Sequence, residues 1–330
     1  LGALYAALLC LWPSGVIHSV RVGNDDLFYL FFCAGLFFLT RWWQDRRDRD
    51  FWIAAAVGAL AMQAKSNGLL LFAILGALFV VRAAADGERP WSLARSPRAM
   101  AAMAKRVGPA VALFVASAGL TFVRAWRDAV HTHNHLLVGN ADRLPAALTV
   151  GNGAANYLWF DLKMFVTQPY SSSWVDDAGR QYFFNFAMKT SLLGDFQFDG
   201  AWLSNLAVIL AALCTVLLAC LILGTARANR DDLLAELPLF LTVVVAVASL
   251  AALRMSIPKA CSNDFRYIAP VTIPLVYLYV RALVRLREAG QGRQVGALRL
   301  AQCGEAAGWA FAAVSALFFV KLAMVAWPSG

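Results

Sequence analysis

The fold class this chain predicts is an all-α membrane protein, a polytopic helical bundle of about nine transmembrane segments with a large extracytoplasmic loop. Three observations predict it. Hydrophobic residues make up 60% of the chain and charged residues only 15%, a balance foreign to soluble domains. Apolar runs recur at close to the length that a hydrocarbon core of about 30 Å requires. Basic residues crowd into a few short loops, the signature of cytoplasmic connections.

The apolar runs fall at 2–20, 26–43, 51–64, 67–82, 107–123, 201–223, 236–254, 266–284 and 307–326. Two of them, 51–64 and 67–82, are short for a span and read either as a pair that meets below the outer surface or as helices in thinner, protein-lined surroundings. Most of the 29 Lys and Arg residues lie in the loops 41–50, 82–106, 224–235 and 281–303 or beside them. The long stretch 124–200 carries only Arg124, Arg127, Arg143, Lys163, Arg180 and Lys189. The first set is expected inside and the long loop outside, in the manner of a bacterial inner-membrane protein. Counting spans back from that loop puts Asp25, Lys65 and the 255–265 loop on its side. The chain thus divides into N-terminal helices (1–123), an extracytoplasmic loop (124–200) and C-terminal helices (201–330). The loop is dense in aromatics, from Trp126 to Phe198, which argues for folded or interfacial helices rather than disorder.

The net charge of +9 follows from this loop asymmetry, so no nucleic-acid partner is implied. The six cysteines are scattered without a CxxC or Cys/His spacing, so neither a zinc site nor a disulfide framework is expected. No GxxxxGK[ST], HExxH or GxSxG supports an NTPase, zincin or serine hydrolase. The chain opens on Leu1 with no visible signal peptide, and a fragment shortened at its N-terminus is expected.

Ionised residues at membrane boundaries are the candidates for chemistry, because burying them is costly. Asn24, Asp25 and Asp26 stand at the mouth of the 26–43 helix. A carboxylate there can act as a base toward a lipid-borne substrate, or simply cap the helix. Two adjacent carboxylates with Asn24 also offer oxygen ligands to a divalent ion, Mg or Mn, with Asp25 as its candidate ligand. Lys65 lies between the two short apolar runs, either snorkelling to the surface or meeting a phosphate. Arg266 opens a later helix behind Asp264. Its planar fork suits a phosphate, and an Asp264–Arg266 surface pair is the plainer alternative. Arg180 and Lys189 are embedded in aromatics, a mix suited to sugar faces or lipid phosphates, or to an interfacial helix. Tyr182 and Tyr267 stand beside these cations as candidate sugar contacts. The alternating His131, His133 and His135 would share a face only in an extended segment, and read as a polar loop.

Three stretches carry a family likeness: Val22-Gly-Asn-Asp-Asp-Leu-Phe-Tyr-Leu-Phe-Phe, Ala64-Lys-Ser-Asn-Gly-Leu-Leu and Asp264-Phe-Arg-Tyr-Ile-Ala-Pro. Their order resembles the GT-C class of integral-membrane glycosyltransferases, nearest to protein O-mannosyltransferases and lipid A aminoarabinose transferases of the cell envelope. The resemblance implies a transferase that moves a sugar from a polyprenyl-phosphate donor to a glycan, lipid or protein acceptor on the extracytoplasmic face. By the match, Asp25 takes the second acidic position, where family members place a residue that helps metal or acceptor binding, and Lys65 and Arg266 contact the donor phosphate. Asp26 beside Asp25 is a further catalytic candidate, and the cations Arg180 and Lys189 join the donor-phosphate candidates by charge. Asn24, Tyr182 and Tyr267 then serve acceptor or sugar. Ala64 replaces the usual Thr before Lys65, and the family's first-loop carboxylate has no match here. The rival expectation is a transporter or a non-catalytic assembly subunit of the membrane.

Overall fold

The computed structural model describes residues 1–19, 23–85, 97–132, 143–176, 178–291 and 294–326. It is helical, with no strand among the described residues and one isolated bridge, Thr149 to Lys259. Among the described residues, six helices are long and apolar enough to cross a membrane, and a bent pair makes up to seven, so this is an integral membrane protein. Each predicted apolar run coincides with helix: α1 (Gly2–Cys10) and α2 (Pro13–Ser19), α3 (Asn24–Asp45), α4 (Asp48–Ala64), α5 (Leu69–Ala85) and α6 (Pro97–Thr132). In the second half, the short α7 (Ala154–Leu158), α8 (Leu162–Thr167) and α9 (Phe183–Leu193) precede α10 (Ala201–Thr225). Then come α11 (Arg230–Ala235), α12 (Leu237–Ser256), α13 (Thr272–Gln291) and α14 (Val295–Ala326).

Three details depart from the sequence pattern. The run 2–20 breaks by 51° between α1 and α2, at Pro13, whose ring supplies no backbone N–H to continue the helix. Residues 124–132 continue α6 instead of opening the loop, because nothing before Thr132 stops the helix. Residues 265–271 form 3-10 turns, and α13 starts only at Thr272. Asp264 causes the first of these turns by accepting the Arg266 backbone N–H at 3.0 Å.

The residues gather into two compact units. One comprises Val22–Leu144 and Leu234–Ala246, hence α3 to α6 and the start of α12. Along α3, Phe28, Phe32, Leu36, Leu39 and Trp42 recur at three- and four-residue intervals, and all are buried. Leu27, Leu30 and Phe37, on the other faces of α3, are exposed, as a lipid-facing surface requires. α4 meets its neighbours through small residues, Ala54, Ala55, Gly58 and Ala61, which let helices approach closely. Polar contacts tie α4 to α6: Gln63 donates to Ser117, Ser117 to the Ala59 carbonyl at 3.0 Å, and Arg106 pairs with Asp48 at 2.8 Å. At the α3–α4 corner, Arg82 lies 4.8 Å from the Trp42 ring and donates to the Trp42 carbonyl at 2.7 Å.

The other unit comprises Leu1–Arg21, Pro145–Leu233 and Val247–Gly330. α10, α13 and α14 pack around a core that includes Leu206, Leu210, Leu283 and Phe311, with Leu4 and Leu8 of α1 added to it. Glycines set the closest approaches, and a Cβ on Gly224 would lie 2.6 Å from the Ala282 Cα. Residues 145–200 fold onto this bundle, with Phe165, Leu192 and Leu193 inside the same core.

Candidate functional site

The polar mouth of the first unit is built by the turn between α4 and α5. After Ala64 the chain leaves the helix through Lys65, whose backbone is extended, and re-enters helix after one 3-10 turn at Ser66–Gly68. The turn is tight enough that a Cβ on Gly68 would lie 2.2 Å from the Met62 nitrogen, so this position needs glycine. The start of α3 clasps this turn twice. Asn24 donates its side-chain amide to the Ala64 carbonyl at 3.1 Å, and the Lys65 ammonium pairs with the Asp25 carboxylate. A second donor reaches the end of α4, Arg124 of α6 to the Gln63 carbonyl at 3.1 Å.

Neither aspartate caps α3 with its side chain. Gly23 is the N-cap, and Asp25 and Asp26 occupy the first turn, where the helix dipole favours negative charge. Asp25 is half-buried beside Lys65, whose ammonium also lies 5.9 Å from the Phe28 ring. Asp26 is exposed, and among the described residues it makes no ion pair. The arrangement therefore offers one carboxylate already neutralised by an ammonium and one open to solvent. No group of three or more His, Cys, Asp or Glu poised for a metal occurs among the described residues. His131 lies in the last turn of α6, while His133 and His135 lie outside the described residues.

The second unit holds the remaining candidates. Arg266 pairs with Asp264 at 3.2 Å and stacks 5.2 Å from the Tyr267 ring. Asp264 is buried, so this is no loose surface pair. Arg180 donates to the Ser173 carbonyl at 2.6 Å, and Asp195 accepts from both the Ser173 N–H and its hydroxyl at 2.8 Å. Cys261 lies in the 3-10 turn Ala260–Asn263, just before Asp264 and Arg266. Burial, first of all, pushes the Cys261 thiol pKa up from 9.0.

No family model matches this chain, and no significant match is found among curated proteins or solved structures.

Two candidates take a different character in the structure. Lys189 is not an interfacial cation. It lies on α9, which buries Phe183, Asn185, Phe186 and Leu192 as well, and its ammonium is fully buried against Asp176 at 2.9 Å. Asp176 also accepts the Gly179 N–H, so the pair ties α9 to the turn that leads into it. Tyr182 forms the N-cap position of α9, and its backbone N–H bonds to the Gly179 carbonyl.

Arg254 went unnoticed in the sequence. It is fully buried near the end of α12, and its guanidinium donates to the carbonyls of Gly151 (3.1 Å), Arg180 (3.1 Å) and Gln181 (2.7 Å). Its signal was a charge at the edge of an otherwise apolar run. Such a residue either snorkels or finds buried acceptors, and Arg254 does the second.

Proposed function

We propose that this chain is a membrane glycosyltransferase that uses a polyprenyl-phosphate sugar donor at an extracytoplasmic face of a bacterial inner membrane. The observation that carries the reading is the Asp25–Lys65 pair, a carboxylate and an ammonium held together at a helix mouth beside the open carboxylate of Asp26. It joins two of the three stretches on which the family likeness rests.

A phosphate arriving at Lys65 would compete with Asp25 for the ammonium and release the carboxylate. Asp25 then accepts the proton of the acceptor hydroxyl as that oxygen bonds to the anomeric carbon. The bond from that carbon to the phosphate oxygen breaks, and its electron pair leaves with polyprenyl phosphate. Lys65 offsets the charge that develops there. Asp26 holds the acceptor through its exposed carboxylate. In the other unit, taken by itself, Arg180 and Arg266 stay phosphate-binding candidates by charge type and by the resemblance, with Tyr182 and Tyr267 as sugar-binding candidates. Lys189 leaves the donor set because Asp176 holds its ammonium in the core. The nine-span topology belongs to the same reading, with the bent α1–α2 pair, α3 and α4 as further spans beside the six helices of membrane-crossing length and composition.

The test is release of polyprenyl phosphate by the purified protein from a panel of polyprenyl-phosphate sugars, with thermal stability followed in parallel. Wild type should turn over, and Asp25→Asn and Lys65→Ala should lose turnover while staying folded. An undiminished rate in Asp25→Asn would overturn the assignment. One observation favours the transporter instead, the 51° break between α1 and α2, since discontinuous helices mark many transport sites. Solute flux through reconstituted vesicles, with no turnover of any donor, would decide for it.

A further inference from the structure

We propose that the edge formed by Leu158, Trp159, Leu162 and Trp202 docks into the headgroup–acyl boundary of the bilayer and anchors the 154–167 helices to the lipid surface. Large apolar side chains in a folded loop are expected to turn inward, and these four do not. Their exposures are 81%, 58%, 49% and 71%. Their neighbours in the chain do turn inward. Phe165 of α8 is fully buried in the core that α10 builds with Leu203 and Leu206, and Phe160 stacks on it at 5.7 Å. Residues 158–165 thus alternate between core anchors, Phe160 and Phe165, and outward apolar groups, Leu158, Trp159 and Leu162.

The position of this edge identifies what covers it. α8 packs on the first turns of α10, a helix of membrane-crossing length that begins at Ala201. Trp202, in that first turn, stands where spans meet headgroups, the location indole rings favour. The outward apolar surface continues down the same helix through Ile209, Val216 and Ile222, which are exposed as well. Lys163, exposed beside Leu162, supplies an ammonium for lipid phosphates at that depth. An apolar edge continuous with a lipid-facing helix, with tryptophans and one lysine at its upper rim, fits a lipid surface better than a soluble partner.

The wild-type protein can be tested directly. It is reconstituted at low protein-to-lipid ratio in phosphatidylglycerol–phosphatidylethanolamine vesicles with a phospholipid that carries a diazirine on its acyl chain. After photolysis, labelled residues are located by peptide mass spectrometry. Leu158, Trp159 and Leu162 are expected to label as strongly as Val216 and Ile222 of α10. Label on α10 with none above background on residues 158–162 would overturn the proposal, whether water or a second copy of the chain covers the edge. The readout is independent of catalysis, so loss of the transferase reading leaves it standing.

Discussion

The ammonium of Lys189 lies 2.9 Å from the carboxylate of Asp176, and both groups are withdrawn from solvent. Deleting one member of such a pair leaves the other charge buried without a partner, at a cost of about 3 kcal/mol or more. Lys189→Met is therefore expected to lower the melting temperature in detergent markedly, and Asp176→Asn to do the same. Replacing both together should recover part of the loss, because no charge is then stranded. A donor-phosphate role for Lys189 would behave differently, with an unchanged melting temperature and a raised KM for the donor.

The Asp25–Lys65 pair makes a contrasting prediction. It sits at a partly open mouth, where an ion pair contributes at most about 1 kcal/mol. Asp25→Asn and Lys65→Ala should each leave the melting temperature nearly unchanged while donor turnover falls. Asp26→Asn, at the exposed neighbour, should affect turnover through acceptor KM. Two variants that unfold the protein instead would mean that the pair is a structural clasp for the Lys65–Gly68 turn.

Gly68 offers a steric test of that turn. A methyl there would meet the backbone at Met62 and Ala61, which has no flexible end to yield. Gly68→Ala should destabilise by several kcal/mol, about the scale of severe overpacking or more. Its partner control is Gly76→Ala, where nothing lies within 4 Å of the added carbon, and where helix propensity alone should give a neutral or slightly stabilised protein. Thermal melts of both variants in one detergent check the contrast.

These cases show where the residues themselves were informative. Apolar run lengths located the helices because a bilayer imposes that length on every span, and the structure has helix at each run. Asn24, Asp25 and Lys65 drew attention because charge and amide groups at the ends of apolar helices need partners, and three-dimensional contact supplies them from 40 residues apart. Lys189 was a different matter. Its aromatic surroundings suit an interface and a protein core equally, and its partner Asp176 lies in a turn that no periodicity predicts. Arg254 was hidden for the same reason, since its acceptors are backbone carbonyls, which every residue carries. The tight approach at Gly68 depends on where Met62 falls after a turn, and a run of letters does not encode that distance.

Arg254 gives a prediction about loop order. Its guanidinium holds the carbonyls of Gly151, Arg180 and Gln181, and its Cζ lies 5.7 Å from the Tyr157 ring. Arg254→Gln removes these donors from part-buried carbonyls, each loss about 1–3 kcal/mol where no other donor remains, while the Gln181 carbonyl keeps the Asn156 amide. Hydrogen exchange should rise in 150–157 and 179–183 while the α10–α13–α14 core stays protected. Arg254→Lys, which keeps the charge but not the forked geometry, should fall between. Uniform protection in Arg254→Gln would refute the clamp.

The Cys261 thiol carries the pH dependence. Burial raises its pKa above 9.0, with Asp195 and Asp264 adding to the rise and Arg266 opposing it. The thiol form is thus favoured by folding. The stability this contributes is complete below the unfolded pKa and is lost as pH rises through the folded one. Alkylation requires the thiolate, so iodoacetamide should modify Cys261 more slowly near pH 8 than a fully exposed thiol, with a midpoint displaced to higher pH. Arg266→Gln removes a cation that opposes the shift and should move the midpoint higher still. Asp195→Asn should move it down. A midpoint that ignores both substitutions would separate Cys261 from the Asp264–Arg266 group.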